Sequence, residues 1–455
     1  MSLSDPFAHV TALRPARKRE AIQAHAEGLP AAGDRLAQLL GAEARRNRYG
    51  EHLSLREWYA TPEMCTPDPR ALSLLLPQSA PIESSLLESV ADPEQWLFLD
   101  TETTGLAGGT GTYAFLVGLA WWDAGGLQVE QFFMRDLDEE HSLLLELSSR
   151  MKERPVLVTF NGKSFDWPLL ETRYRMTRAI SPRAPLAHLD LLHPARQLWR
   201  LRLGSARLKE LEQHVLANDR GGIGWSRRGD IDSALIPQMY FDYLRGGPVE
   251  PLRGVFQHNQ MDLRCLAALA GKVLALLGEA NETEDPLELY GLSRLLSSRG
   301  QRGRARECYE RALLGGLPRP VQRQAQNELA QLAKRERDYA RATSLWEGLR
   351  KTPDSVALRL PRALASDEDS QRAHRAAIEA AEQLAIYYEH RARQPRRAAE
   401  LTRSAIEELQ KAKRRSSIQG GWTRKLEERL LRRLARLERH LHLAHGAAGR
   451  VGRPA

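Results

Sequence analysis

The sequence predicts an α/β domain, a mixed five-stranded sheet flanked by helices, followed by an all-α domain of helical repeats. From Trp96 short β-rich runs alternate with Gly-containing turns; after the third run, strands alternate with helices; from Leu287 onward every readable segment is helical. Residues 1–60 are polar and rich in Ala and Arg, with one weakly helical run (GDRLAQLLGAEARRNRYGEHLSLREWY) and no strand signal. They are expected to form a basic, partly helical arm that packs on the next domain or stays mobile.

The α/β domain is placed at 61–278. Its runs WLFLDTET, TYAFLVGLAWW and LQVEQFFMRD are joined by the short turns LAGGTGT and DAGG, which reads as an antiparallel meander. A helix (EEHSLLLELSSRMK), a fourth strand (PVLVTFN), a helix (FDWPLLETRYRM), a fifth strand (PLAHLDLL) and further helices to Leu277 follow. Strands first, then alternating β and α, give a mixed sheet. A polar linker spans 279–286 and contains NETEDP, helical repeats span 287–445, and a flexible tail spans 446–455. The repeats resemble tetratricopeptide repeats, helix pairs of about 34 residues with interlocking small and large positions. Ala305, Tyr309 and Ala312 before Pro318, and Ala342, Trp346 and Leu349 before Pro353, match the second-helix pattern; Ala398 with Ala405 is a looser copy. A basic amphipathic helix, TRKLEERLLRRLARLERHLHLA, closes the array, its leucines capping the stack.

Composition bounds the partners. The chain has 455 residues and 42% hydrophobic content, the balance of a soluble globular protein with room for two domains. Its 67 Lys and Arg against 58 Asp and Glu give a net charge of +9, which fits a polyanionic partner, although charge alone favours solvated Arg-rich helix faces. Cys65, Cys265 and Cys308 form no C-x-x-C pair, against a zinc knuckle or disulfide framework and in favour of a reducing cytoplasm. The N-terminus has no apolar secretory core, and no stretch approaches the ~18 apolar residues a membrane span requires.

Three short motifs carry the chemistry. Asp100 and Glu102 lie two apart on a strand, so both side chains point to one face. Two acids at the end of an apolar strand repel each other and resist desolvation, which a cation relieves; taken alone, the pair is better read as a solvated strand end. In NGKSFD, Asp166 follows a strand and opens a helix, where an Asp is also a common N-cap. In HNQMD, His258 and Asp262 are four apart and share a helix face, which is also the spacing of a surface pair. Order, spacing and context together suggest a phosphodiester-cleaving site. Two Mg²⁺ or Mn²⁺ ions about 4 Å apart can stabilise both the attacking and leaving oxygens, and hard cations take carboxylate oxygens. A His that titrates near neutrality suits removal of the water proton.

FLDTETTGL resembles the first motif of the DEDD exonucleases, NGKSFD the second and HNQMD the third. That resemblance implies an RNase-H-like fold and two divalent cations, Mg²⁺ or Mn²⁺, held by Asp100, Glu102, Asp166 and Asp262. It also implies His258 as general base and 3′-to-5′ exonuclease polarity on single-stranded DNA or RNA. The interval of four from His258 to Asp262 is that of the superfamily's tyrosine subclass, although the residue here is His. A closer resemblance, over roughly residues 60–277, is to the bacterial RNase-H-like family typified by YprB. It rests on LAGGTGTYAFLVGL after the first motif, HLDLLH (His188 to His193), SARLKELEQHVL and DIDSALIPQMY.

Other residues carry paired readings. Thr103, Thr104 and Leu106 either hold the terminal nucleotide or simply form a turn. Asn161 and Lys163 flank the approach to Asp166, and Lys163 either meets a phosphate or is solvated. Asp190 ends the fifth strand, as an outer-shell acid near the metals or as a structural hydrogen-bond acceptor. The glycines of AGGTGTY are expected in a tight turn, since no G-K-S or G-K-T follows. Phe165, Trp167 and Tyr174 are expected to pack against the sheet, and His188 and His193 to be core or surface histidines. The repeats would bind a protein partner or extend a basic track for nucleic acid. An adaptor with an inactive, nucleic-acid-binding domain is the alternative to an enzyme.

Overall fold

The structure is a computed structural model that describes residues 32–60, 68–76, 84–105, 110–181, 183–216, 227, 229–278, 283–351, 367–414 and 421–448. These fall into two compact units, one drawn from Met1–Arg196 and Ala206–Glu282 and the other from Gln197–Ser205 and Thr283–Ala455.

The first unit is built on a mixed sheet of seven strands rather than the expected five. They are β1 (Glu43–Asn47), β2 (Gly50–Ala60), β3 (Trp96–Thr103), β4 (Ala114–Asp123), β5 (Gly126–Phe133), β6 (Val156–Thr159) and β7 (Ala187–Asp190), in the order β1-β2-β5-β4-β3-β6-β7. β3, β4 and β5 form the expected antiparallel meander, and β6 and β7 extend it in parallel to β3. The two additional strands come from the segment expected to be an arm without strands. There α1 (Ala32–Leu40) is the helical part, and a hairpin with Asn47 opposite Gly50 follows it.

The reason the hairpin was not legible is physical. The β1 residues face solvent almost throughout, so β1 has no apolar signal, and β2 buries His52 and Ser54 beside Leu53 and Leu55, which hides the alternation. Both polar groups find partners: His52 Nδ1 lies 2.9 Å from Ser142 Oγ, and Ser54 donates to Glu130. β2 then pairs with β5 over Leu53–Ala60, so the hairpin belongs to the sheet.

The helices α2 (Glu140–Glu153), α3 (Asp166–Thr177), α5 (Ile236–Leu244) and α6 (Glu250–Leu277) pack on the sheet, and α4 (Leu192–Leu203) begins in this unit. Phe115 of β4 stacks on Tyr240 of α5 at 4.0 Å, with Phe133 edge-on to both. A buried ion pair joins α2 to α3, Arg173 Nη2 donating to Glu140 at 2.7 Å while its Nη1 holds the Thr110 carbonyl.

The second unit is helical: α7 (Pro286–Ser298), α8 (Arg302–Leu314), α9 (Arg319–Arg335), α10 (Tyr339–Lys351), α11 (Asp367–His390), α12 (Pro395–Arg414) and α13 (Gly421–Ala448). The apolar positions Ala305, Tyr309, Ala312, Ala342, Trp346, Leu349, Ala398 and Ala405 are all buried. Leu426, Leu430 and Leu437 of the basic α13 are buried too, and its Arg429, Arg433 and Arg436 pair with Glu382 and Glu389. Much of that basic face is therefore neutralised within the unit. Among the described residues no helix is long and apolar enough to cross a membrane.

Candidate metal and nucleic-acid site

The site forms where β3 ends. Trp96 to Leu99 are buried, and the strand emerges at Asp100 and Glu102, both partly exposed. Alternation places both carboxylates on one face. Asp100 stands opposite Gly118 of β4, which stands opposite Gln131 of β5. With no side chain at Gly118, α6 can approach the sheet there and lay Asn259 across the row. Asn259 donates to Asp100 Oδ2 at 2.8 Å and accepts from Gln131 Nε2 at 2.7 Å; Gln260 donates to Gln131 Oε1 at 3.0 Å. Asn259 is fully buried and fixes how α6 presents its neighbours His258 and Asp262.

Asp166 is the first residue of α3, and its Oδ1 accepts from the Thr101 hydroxyl at 2.5 Å. The loop before it is fixed by Asp190, which accepts from the backbone N–H of Asn161 at 2.8 Å, Lys163 at 3.1 Å and Leu192 at 3.0 Å. Asp190 thus supplies structural hydrogen bonds to the loop that carries Asp166, and its charge also pushes the Asp166 carboxyl upward. Asn161 has a φ of +71°, a backbone shape that Asn tolerates. Lys163 is exposed, and Phe165 is 59% exposed instead of packing on the sheet as expected, because its place at the mouth of α3 points outward. Tyr174 is buried and Trp167 packs on the core. Thr103 donates to the Gly105 carbonyl and Thr104 accepts from the Tyr113 N–H, both within the turn; Leu106 lies outside the described residues. His188 bonds Thr159, and burial lowers its pKa to about 4.

Asp100 and Glu102 sense the charges of the other acids. Burial first, and then the charges of Asp262, Glu102 and Asp166, hold Asp100 well above the usual carboxylate range, with the Asn259 bond opposing. Glu102 is raised by burial and by Asp262, Asp166 and Asp230. Asp166 is raised by burial against the pull of its bond from Thr101. Among the described residues, however, no three Asp, Glu, His or Cys side chains close around a common point as metal ligands. Donors of the chain occupy the carboxylate lone pairs instead: Asn259 on Asp100, Thr101 on Asp166 and Arg227 on Asp262. The donor set, all carboxylate oxygens, is chemically that of a hard divalent cation.

Two residues of this cluster carried no role in the sequence. Asp230, within the stretch preceding α5, accepts from His258 Nδ1 at 2.7 Å. Burial pushes the Asp230 carboxyl up, but its bonds with His258 and Arg227 outweigh that and bring it below its usual value. An ionised Asp230 can only accept, so the proton sits on His258 Nδ1, and Nε2, 3.2 Å from Ser233 Oγ and 3.6 Å from Asp262 Oδ2, is left as the basic atom. Arg227 pairs with Glu212, Asp230 and Asp262. Asp230 sits inside DIDSALIPQMY, and Asn259 inside HNQMD; the motifs pointed to the right segments without saying which polar residues turn inward.

A family model described as RNase_H superfamily matches residues 97–274, which spans all of the residues from Asp100 to Asp262. The chain is also 30% identical over 344 residues to the Bacillus subtilis (strain 168) protein described as uncharacterized protein YprB, covering 75% of this chain and 74% of that one.

Proposed function

The chain belongs to the family of YprB and carries an RNase H superfamily domain, and from that premise we propose that it is a metal-dependent nuclease hydrolysing phosphodiester bonds. The observation that carries this is the convergence of acids from three separate elements, β3, α3 and α6, at one end of the sheet, where the charges of Asp166 and Asp262 raise Asp100 and Glu102. Such a cluster is unfavourable to maintain unless a cation joins it. Asp100, Glu102, Asp166 and Asp262 would hold two divalent cations, Mg²⁺ or Mn²⁺. When bound, these supply Lewis-acid polarisation of the phosphodiester and neutralise developing charge.

The chain's own residues do the rest. Asp230 fixes the tautomer and orientation of His258, whose Nε2 faces the Asp262 side and takes the proton from the attacking water. Asn259 and Thr101 hold Asp100 and Asp166 in place. Asp190 keeps the Asn161–Lys163 loop in shape, so that Lys163 meets a substrate phosphate and Asn161 borders the approach, while Thr103, Thr104 and Leu106 are read as the residues that hold the terminal nucleotide. We read the substrate as a single-stranded DNA or RNA end cleaved 3′ to 5′, by resemblance to DEDD exonucleases and because chemistry at a terminus needs an unstacked nucleotide. The helical unit, read as tetratricopeptide-like repeats, would serve a protein partner. A reducing cytoplasm suits the buried thiols of Cys265 and Cys308.

The test is digestion of end-labelled single-stranded DNA and RNA with Mn²⁺, comparing the protein with Asp100→Asn. We expect stepwise shortening from the 3′ end that EDTA abolishes and that falls at least ~100-fold in the variant, the scale of losing one transition-state charge stabiliser. Equal, EDTA-insensitive background from both proteins overturns the enzyme and leaves the adaptor. Internal cuts would retain a nuclease but remove the exonuclease assignment.

A further inference from the structure

Arg227 is buried at 5% side-chain exposure and serves three carboxylates at once. Its Nε donates to Glu212 and its Nη2 to Asp262 Oδ1, while Nη1 stands 3.2 Å from Asp230 Oδ2. The planar fork of a guanidinium allows three such directed bonds, which an ammonium would not reproduce. Of the three partners, Glu212 belongs to the helical turn 212–216, Asp230 is bonded to His258, and Asp262 is the one that the proposed function makes a metal ligand. Its other oxygen, Oδ2, lies 3.6 Å from His258 Nε2, the nitrogen left without a proton, so among the described residues the side-chain donor on Asp262 is Arg227.

From this arrangement we propose that Arg227 is an internal counter-cation for Asp262, and that its pairing with Asp262 and the binding of a divalent cation by Asp262 are alternative states of the protein. The proposal rests on the metal-dependent reading above and concerns how that site is loaded. A guanidinium on Oδ1 and a divalent ion draw on the same negative charge of Asp262, so each weakens the other's hold. Because Glu212 and Asp230 keep Arg227 anchored and neutralised when Asp262 turns away, the exchange leaves no buried charge unpaired. Glu212 is thereby a tuning residue: the stronger its hold on Arg227, the more easily Asp262 is released. The divalent position served by Asp262 is expected to be the weaker of the two, and Asp100, Glu102 and Asp166 to form the tighter one.

The experiment is Mn²⁺ binding to the full chain without nucleic acid, followed by titration calorimetry and by the loss of the free-ion paramagnetic resonance signal. In Arg227→Gln the weaker class of Mn²⁺ site should tighten about tenfold or more, the scale of one charge-assisted hydrogen bond removed from competition. Glu212→Gln should do the reverse and weaken that class, since Arg227 then leans harder on Asp262. Circular dichroism melting of each variant establishes that it is folded, and the opposite signs of the two effects separate competition from a general loosening, which would weaken binding in both. Mn²⁺ affinity that is unchanged or reduced in Arg227→Gln overturns the role of Arg227 alone. An absence of Mn²⁺ binding in all three proteins overturns the metal-dependent reading itself.

Discussion

Gly118 is where the sheet and the site-bearing helix meet most closely, and Gly118→Ala puts that contact to a quantitative test. A Cβ there would stand 2.0 Å from Asn259 Oδ1, 2.7 Å from its Cγ and 2.8 Å from its Nδ2. Ordinary contact is roughly 3.5 Å, so Asn259 must retreat by more than ~1 Å. It has no room, being fully buried and bonded to Asp100 and Gln131. Overpacking of this kind costs about 1–3 kcal/mol, and displacing the two hydrogen bonds adds about 1 kcal/mol each. The expected loss is therefore ~3–5 kcal/mol in urea unfolding monitored by circular dichroism. The cause is separable from generic strand damage by a double-mutant cycle. Asn259→Ala clears the space, so adding Gly118→Ala to it should cost under ~1 kcal/mol more, a strongly non-additive result. Additive losses, or a Gly118→Ala protein within ~0.5 kcal/mol of the parent, would refute the reasoning, because they would mean that α6 is not seated on this row.

Two further effects follow from buried polar groups away from the candidate metal ligands. His52 is fully buried, and burial lowers its pKa from 6.5 to about 4, so the folded state resists a proton that the unfolded chain accepts. Its stabilising contribution is complete above about pH 6.5 and is lost as pH falls towards 4, by about 3 kcal/mol from the linkage of ~1.4 kcal/mol per unit. His52→Gln should flatten this part of the stability–pH curve between pH 7 and 4, and an unchanged slope would show that His52 does not carry it. Arg173→Met leaves Glu140 buried at 7% exposure without its cation and also releases the Thr110 carbonyl. Urea denaturation should show a loss of ~3–5 kcal/mol that Glu140→Leu in the same chain largely restores; a loss below ~1 kcal/mol would mean that the pair is dispensable.

What the sequence disclosed depended on whether polarity and position reinforced each other. The meander, β6 and β7 were legible because Trp96–Leu99 and Val156–Val158 are apolar and bounded by turn residues. The acids were legible because Asp100 and Glu102 break an apolar strand. The β1–β2 hairpin was hidden by the opposite situation, with Arg45 and Arg46 on an exposed edge and His52 and Ser54 turned inward to Ser142 and Glu130. Asn259 and Asp230 were hidden for another reason. A polar residue on a helix or in a loop looks solvated until the partner that receives it is known, and here the partners are 159 and 28 positions away in the chain. Arg227 follows the same rule, since Glu212 and Asp262 come from separate elements and only tertiary structure brings them to one guanidinium.

The electrostatics of the first unit also bear on the order of folding and loading. Four acids at the end of a sheet would ordinarily oppose folding, because desolvation and mutual repulsion act together. Here the opposing donors belong to the chain: an amide from Asn259, a hydroxyl from Thr101 and a guanidinium from Arg227. Each comes from a different element, α6, β3 and the segment before α5, so their bonds form only as those elements pack. The chain thus supplies donors to Asp100, Asp166 and Asp262, while Asp100 and Glu102 remain raised, which is the imbalance a cation would relieve. On the proposed metal-dependent reading, a cation would replace donors that are already in place, and would add stability only to the extent that its affinity exceeds theirs. Of the three donors the guanidinium is the one that carries a full charge, so on that reading Asp262, and not the strand acids, would be the ligand whose availability the fold controls.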